Sequence, residues 1–117
     1  MSSPATDWLK DKEPEMLRLL EALVNQDSGT YDPLDVNRLA DMLVAPLRDL
    51  GMTPTRFPQT TYGDHWLWER PGRSDKRLLF ISHIDTVFAS GTTKARPFSV
   101  AGTRAYGLTE HSTVSVG

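Results

Sequence analysis

The sequence predicts an α/β fold, because two amphipathic helical stripes come first, extended segments follow, and one of those segments is apolar without interruption. The stripes are Met16, Leu17, Leu20, Leu23, Val24 and then Val36, Leu39, Ala40, Leu43, Leu47, Leu50, with apolar residues recurring every three or four positions. Past Gly51 the period shortens to two. At residues 78–81 (LLFI) the alternation disappears altogether, as expected of a central strand covered on both faces. Two helices and then a mixed sheet make an α/β layer that is incomplete, since a full one needs helices on the sheet's second face.

Each element has a local reason. Residues 1–12 are polar and without periodicity, and are expected to form a loose tail. Pro14 suits the first turn of a helix, where its missing N–H costs nothing. NQDSGTYDP closes that helix and opens the next, with Asp27 and Asp32 expected to cap turns and Gly51 to stop the second helix. Pro46 falls inside the second stripe and should remove one backbone hydrogen bond there. Residues 53–57 form a short candidate strand, although Pro54 interrupts it. In DHWLWER (residues 64–70), Trp66 and Trp68 share one face as packing residues, which leaves His65 toward solvent. PGRSDK separates this strand from the apolar run. Residues 97–107 make a last extended piece with a turn at Ala101 and Gly102.

Composition narrows the chemistry. A chain of 117 residues fits one small domain, and 24% charged residues with a net charge of -2 provide no electrostatic basis for binding nucleic acid or an anionic membrane. The opening residues lack the cationic and apolar regions of a secretory signal and no apolar run reaches the ~20 residues of a membrane span, so a cytoplasmic location is expected. With no cysteine, any metal must be held by His, Asp or Glu. The apolar run ends in His83 and Asp85, two residues apart and therefore on one face of a strand at its carboxyl end, where α/β sheets usually place ligands. Such a pair can act as a metal ligand with an orienting carboxylate, or it can simply anchor a loop. Arg96, just before Pro97, reads as a surface arginine.

The wider text is more specific. ISHIDTVFASGTTKARPFSVAGTRAYG resembles the H-x-D-T-V, G, P-F, Y-G pattern of the M20 family of metallopeptidases, near its glutamate carboxypeptidase and aminoacylase-like members. NQDSGTYDPLDVNRLADMLVAPLRDLGM resembles the family's S-G-T-Y-D loop and the following helix. The resemblance implies a zinc-peptidase-like three-layer domain, with residues 13–107 as its amino-terminal part. His83 then corresponds to a ligand in a two-zinc site, and Asp85 to the catalytic carboxylate that orients this histidine. It also implies a peptide or N-acyl amino acid substrate, and homodimers formed through a lid domain. Pro97, Phe98, Tyr106 and Gly107 match the lead-in to a metal-bridging aspartate, while residues 28–32 match a structural turn.

The pattern then breaks. The family continues close to G-x-G-x-x-D-x-K-G-G, whereas residues 108–117 read LTEHSTVSVG, which puts Ser112 in the place of the aspartate. Glu110 and His111 are metal-competent but do not match the motif. The remaining ligands and the Glu general base of the family have no counterpart in these residues. The 117-residue chain is therefore expected to bind zinc weakly, to hydrolyse no amide, and to be prone to aggregation along its apolar run. The alternative is a non-catalytic remnant or interaction module that retains the amino-terminal layer. Reading the codons of residues 108–117 from the third base of the Leu108 codon permits glycine, aspartate and lysine at the family spacing. We therefore expect the nucleotide sequence to continue into family-like text in that shifted frame; a gene with no such continuation would make the tail a genuine divergent end.

Overall fold

A computed structural model describes residues 3–107 and the backbone of residues 114–115. The element order is α1 (Pro4–Val24), α2 (Pro33–Asp49), β1 (Thr53–Phe57), β2 (His65–Glu69), α3 (Thr92–Ala95), β3 (Ser99–Ala101), β4 (Arg104–Tyr106) and β5 (Val114–Ser115). The chain is thus mixed α/β. Its strands form two small antiparallel sheets, β1-β2 and β3-β4-β5. The described residues divide into two compact units, one comprising Gln26–Thr92 and the other the segments before and after it.

In the unit built from the two ends, α1 starts earlier than the position of Pro14 suggests. Ser3 is its N-cap: the hydroxyl accepts from the Thr6 amide at 3.2 Å, and Pro4 occupies the first turn. This start satisfies an otherwise orphaned donor and uses a proline that has no N–H to lose. Residues expected to form a loose tail are therefore helical from Pro4, and Pro14 lies inside the helix. The predicted stripe is the half-buried side, with Leu17, Leu20, Leu23 and Val24 partly covered, while Met16 is exposed. Asn25 ends the helix, and its Oδ1 accepts the Phe98 amide at 2.8 Å. The β3-β4 hairpin turns where expected. Gly102 has a φ of 61°, a conformation that a side chain would strain, and the register pairs Ala101 with Arg104 and Val100 with Ala105. Residues 108–113, which include Glu110, His111 and Ser112, lie outside the described residues.

In the Gln26–Thr92 unit, Asp32 caps α2 by accepting the Asp35 amide at 3.2 Å, with Pro33 in the first turn. The helix buries Val36, Leu39 and Ala40 and continues through Pro46 to a stop at Gly51, whose φ is 79°. β1 and β2 pair from Thr53↔Glu69 to Phe57↔His65. Trp66 and Trp68 share a face as predicted and stack with their rings 5.7 Å apart, and the Arg56 guanidinium lies 5.1 Å from the Trp66 ring. The loop before β2 is pinned by Asp64, which accepts from Arg56 Nε at 2.6 Å and the Gln59 amide at 2.8 Å while its own amide donates to Asn37 Oδ1.

The expected central strand is the main correction. Residues 78–81 belong to no strand, and Leu78, Leu79, Phe80 and Ile81 are 86%, 76%, 88% and 87% exposed. An uninterrupted apolar run needs paired strands at its edges and packed layers on its faces, and among the described residues it has neither. Among the described residues, the backbone pairing near it is a parallel bridge between Gly29 and Thr86.

Gly63 packs against the Val36 side chain so closely that a Cβ would overlap Val36 Cγ1. Val36 is β-branched, buried and held on a helix, so it has little rotamer freedom to move aside. Gly63→Ala is expected to lower unfolding stability by about 1–3 kcal/mol. Urea denaturation followed by tryptophan fluorescence measures this, and an unchanged midpoint would contradict the packing.

Candidate functional site

The site lies where the apolar run meets the loop of residues 28–32. Two backbone hydrogen bonds join them: the Thr86 amide to the Ser28 carbonyl at 2.8 Å, and the Thr30 amide to the Thr86 carbonyl at 2.9 Å. Gly29 sits between these bonds, and a Cβ there would lie 2.5 Å from the Phe88 carbonyl oxygen, so the approach requires a residue without a side chain. The turn itself closes when the Asp32 amide donates to the Gly29 carbonyl at 2.8 Å.

This junction positions Asp85. The Thr30 hydroxyl lies 2.7 Å from Asp85 Oδ2 and 3.0 Å from the Thr86 carbonyl oxygen. Both neighbours are acceptors, so the single hydroxyl proton serves chiefly the nearer, charged carboxylate. The other carboxylate oxygen, Oδ1, is 3.2 Å from His83 Nδ1, and the same nitrogen is 3.0 Å from the Asp85 carbonyl oxygen. A carbonyl only accepts, and so does an ionised carboxylate. Nδ1 therefore carries the proton, and in the neutral ring Nε2 is left with its lone pair free. The His83 side chain is 84% exposed, which leaves that nitrogen open to solvent.

The hydrogen bond from Thr30 is the main influence holding the Asp85 carboxyl below its usual pKa; the His83 contact adds to the effect and partial burial opposes it. A second set of ties runs alongside. Ser90 Oγ lies 2.6 Å from Asp35 Oδ2 and 2.9 Å from Asp32 Oδ2, and the Gly91 amide donates to Asp27 Oδ2 at 2.7 Å. The bond from Ser90 is the leading cause that lowers the Asp32 pKa. Asp32 thus caps a helix as expected, while Asp27 reaches across to a distant segment.

His83 and Asp85, singled out by their spacing, do come together. Their partner Thr30 had no such signal of its own, although it stands in the S-G-T-Y-D text that resembles the same family. Arg96 is exposed. Trp66, Trp68, Phe80, His83 and Asp85 all line one open groove of this unit. The donor set is nevertheless small. Among the described residues no three His, Asp or Glu side chains converge, whereas a catalytic zinc takes about three protein ligands and a two-metal site more. The residues present do not make a complete zinc site.

Comparison with known proteins agrees in direction. The chain is 38% identical over 99 residues to carboxypeptidase G2 of Pseudomonas sp. (strain RS-16), an alignment covering 83% of this chain and 24% of that protein. The relationship is to a carboxypeptidase, and the chain spans about a quarter of the length of the curated relative it matches. No family model matches the chain. No helix among the described residues is long and apolar enough to cross a membrane.

Loss of the Thr30 hydroxyl should raise the pKa of Asp85. A carboxyl whose folded pKa is depressed stabilises the fold above its unfolded pKa, and that contribution is lost as pH falls through the folded value. Thr30→Val should therefore shift the Asp85 titration upward and shorten the acid range over which the fold holds, while Thr30→Ser should leave both close to the parent. Carboxyl-carbon NMR titration reads the first and circular dichroism against pH the second; identical curves for all three proteins would contradict the assignment.

Proposed function

We propose that this chain is the amino-terminal part of a zinc-dependent amidohydrolase of the M20 type, one that cleaves a peptide or N-acyl amino acid amide bond. The observation that carries this reading is the paired geometry of His83 and Asp85 within a 99-residue match to a carboxypeptidase. The carboxylate holds the imidazole with Nδ1 protonated and Nε2 presented outward, the arrangement of a carboxylate-histidine metal ligand. His83 is assigned as a metal ligand, and Asp85 as the group that orients it and raises its basicity. Thr30 fixes Asp85 in turn. No reaction step is assigned to the 117-residue chain itself, because one imidazole and one carboxylate fall short of a catalytic zinc set.

A second reading, a non-catalytic module that retains the same layer, is favoured by Ser112, which stands where the family pattern has an aspartate. The two readings differ in a direct assay. The 117-residue chain should release no product from N-acyl amino acids with or without added zinc. A polypeptide extended through the shifted frame should hydrolyse them, lose activity on chelation, and lose at least about a hundredfold when His83 is replaced by Ala. Turnover by the short chain, or an extended chain that is inert and free of zinc by elemental analysis, would reject the proposal.

A further inference from the structure

The approach of Gly63 to Val36 holds the loop before β2 against the first turns of α2, and the Asp64 amide on Asn37 Oδ1 at 2.8 Å fixes the same contact one residue further on. Each side of this contact carries a tyrosine. Tyr62 precedes Gly63, and Tyr31 stands in the turn that Asp32 closes at the start of α2. Their ring centroids are 6.2 Å apart with the planes tilted by 49°, within the range of paired aromatic rings. Both rings are open to solvent, Tyr31 at 87% exposure and Tyr62 at 48%, and neither phenol hydroxyl bonds another group among the described residues. All of these contacts lie within the Gln26–Thr92 unit, and none involves the apolar run. Core packing gives no reason for the pair, whereas two neighbouring phenols in water are placed for one particular reaction.

We propose that Tyr31 and Tyr62 form an oxidative cross-linking site, at which a one-electron oxidant of the peroxidase class, acting with hydrogen peroxide, joins the two rings by a carbon–carbon bond. Each phenol gives one electron to the oxidant and its hydroxyl proton to solvent, which leaves a tyrosyl radical. The two radicals pair their electrons in a bond between the ring carbons beside the oxygen, one Cε from each residue. The hydrogen on each of those carbons then moves through solvent to the oxygen, and both phenols are restored. The chain has lost two hydrogens in all, while the peroxide has taken up two electrons and two protons to become two waters. Exposure lets the oxidant reach the rings, and proximity decides the partner. A ring held beside the first by folding outcompetes a ring on another molecule, because its effective concentration is far higher. Tyr31 lies before the first helical residue, Pro33, so its side chain is free to turn and bring the ring carbons into bonding contact. The bond ties the loop of residues 28–32, and with it Thr30, to the connection between β1 and β2.

The chain has three tyrosines, and the third, Tyr106, belongs to the other unit and is also exposed, so it serves as the internal control. The 117-residue chain at micromolar concentration, treated with a peroxidase and limiting hydrogen peroxide, should yield a monomer with dityrosine fluorescence that is two hydrogens lighter than the parent. Mass spectrometry of a proteolytic digest should find the Tyr31 and Tyr62 peptides joined. Tyr31→Phe and Tyr62→Phe should each lower the yield of this monomeric product at least about tenfold, while Tyr106→Phe should leave it unchanged. Far-UV circular dichroism checks that each variant keeps its helices. Oxidation in concentrated urea should also lower the yield about tenfold, since the rings then meet only through random motion of the chain. Dityrosine found only between chains overturns the proposal. So does a monomeric product joined through Tyr106, or an equal yield in urea, which would mean that folding does not bring the two rings together. None of these outcomes depends on zinc or hydrolysis, so the proposed function stands or falls separately.

Discussion

The hydrogen-bonded junction between Gly29 and Thr86 is the constraint on which the rest of this unit depends. It joins residues more than fifty positions apart through a parallel bridge, and it forms only because position 29 lacks a side chain where the Phe88 carbonyl approaches. Closing so long a loop costs conformational entropy before any contact is gained. The cost is offset by a dense group of bonds within a few residues: two backbone bonds at Thr86, the Thr30 hydroxyl on Asp85, Ser90 on Asp32 and Asp35, and the Gly91 amide on Asp27. Several of these involve carboxylates, and charge-assisted bonds are the stronger kind.

The same bonds link structure to chemistry. Asp32 ends the loop and begins α2, so the turn that holds Thr30 also sets the start of the helix that buries Val36, Leu39 and Ala40. From this base the order runs outward: the helix fixes the turn, the turn fixes Thr30, Thr30 fixes Asp85, and Asp85 fixes the ring of His83. Exposure rises along this order, from a half-buried Thr30 to an Asp85 side chain 35% exposed and a His83 side chain 84% exposed. An exposed imidazole would otherwise sample several rotamers, and ordering it in advance reduces the entropy that a metal or partner must overcome on binding.

Much of this was legible in the sequence, for reasons that differ by element. The α2 stripe, its Asp32 cap and its Gly51 stop could be read because helix periodicity and capping are local. The positions of β1 and β2, the shared face of Trp66 and Trp68, and the Ala101–Gly102 turn were legible for the same reason, whereas the antiparallel pairing of β1 with β2 was not read from the sequence. Helix α1 began ten residues before the expected Pro14 because Ser3 and Pro4 supply a capped start that the apolar stripe does not reveal. The apolar run was read as a central strand from its composition, yet a strand exists only through its neighbours, and the described residues provide none. The pairing of His83 with Asp85 followed from their spacing. The role of Thr30 could not be read that way, since nothing local to it points to a residue fifty-five positions away.

The central claim is that this chain of contacts sets the protonation pattern of an exposed histidine. Long-range proton-nitrogen NMR correlation of the His83 ring, recorded at a pH where the ring is neutral, tests it directly. The account predicts a protonated Nδ1 and an unprotonated Nε2. A ring protonated at Nε2, the form that dominates in free histidine, would show that Asp85 does not hold it and would remove the basis for assigning His83 as a metal ligand.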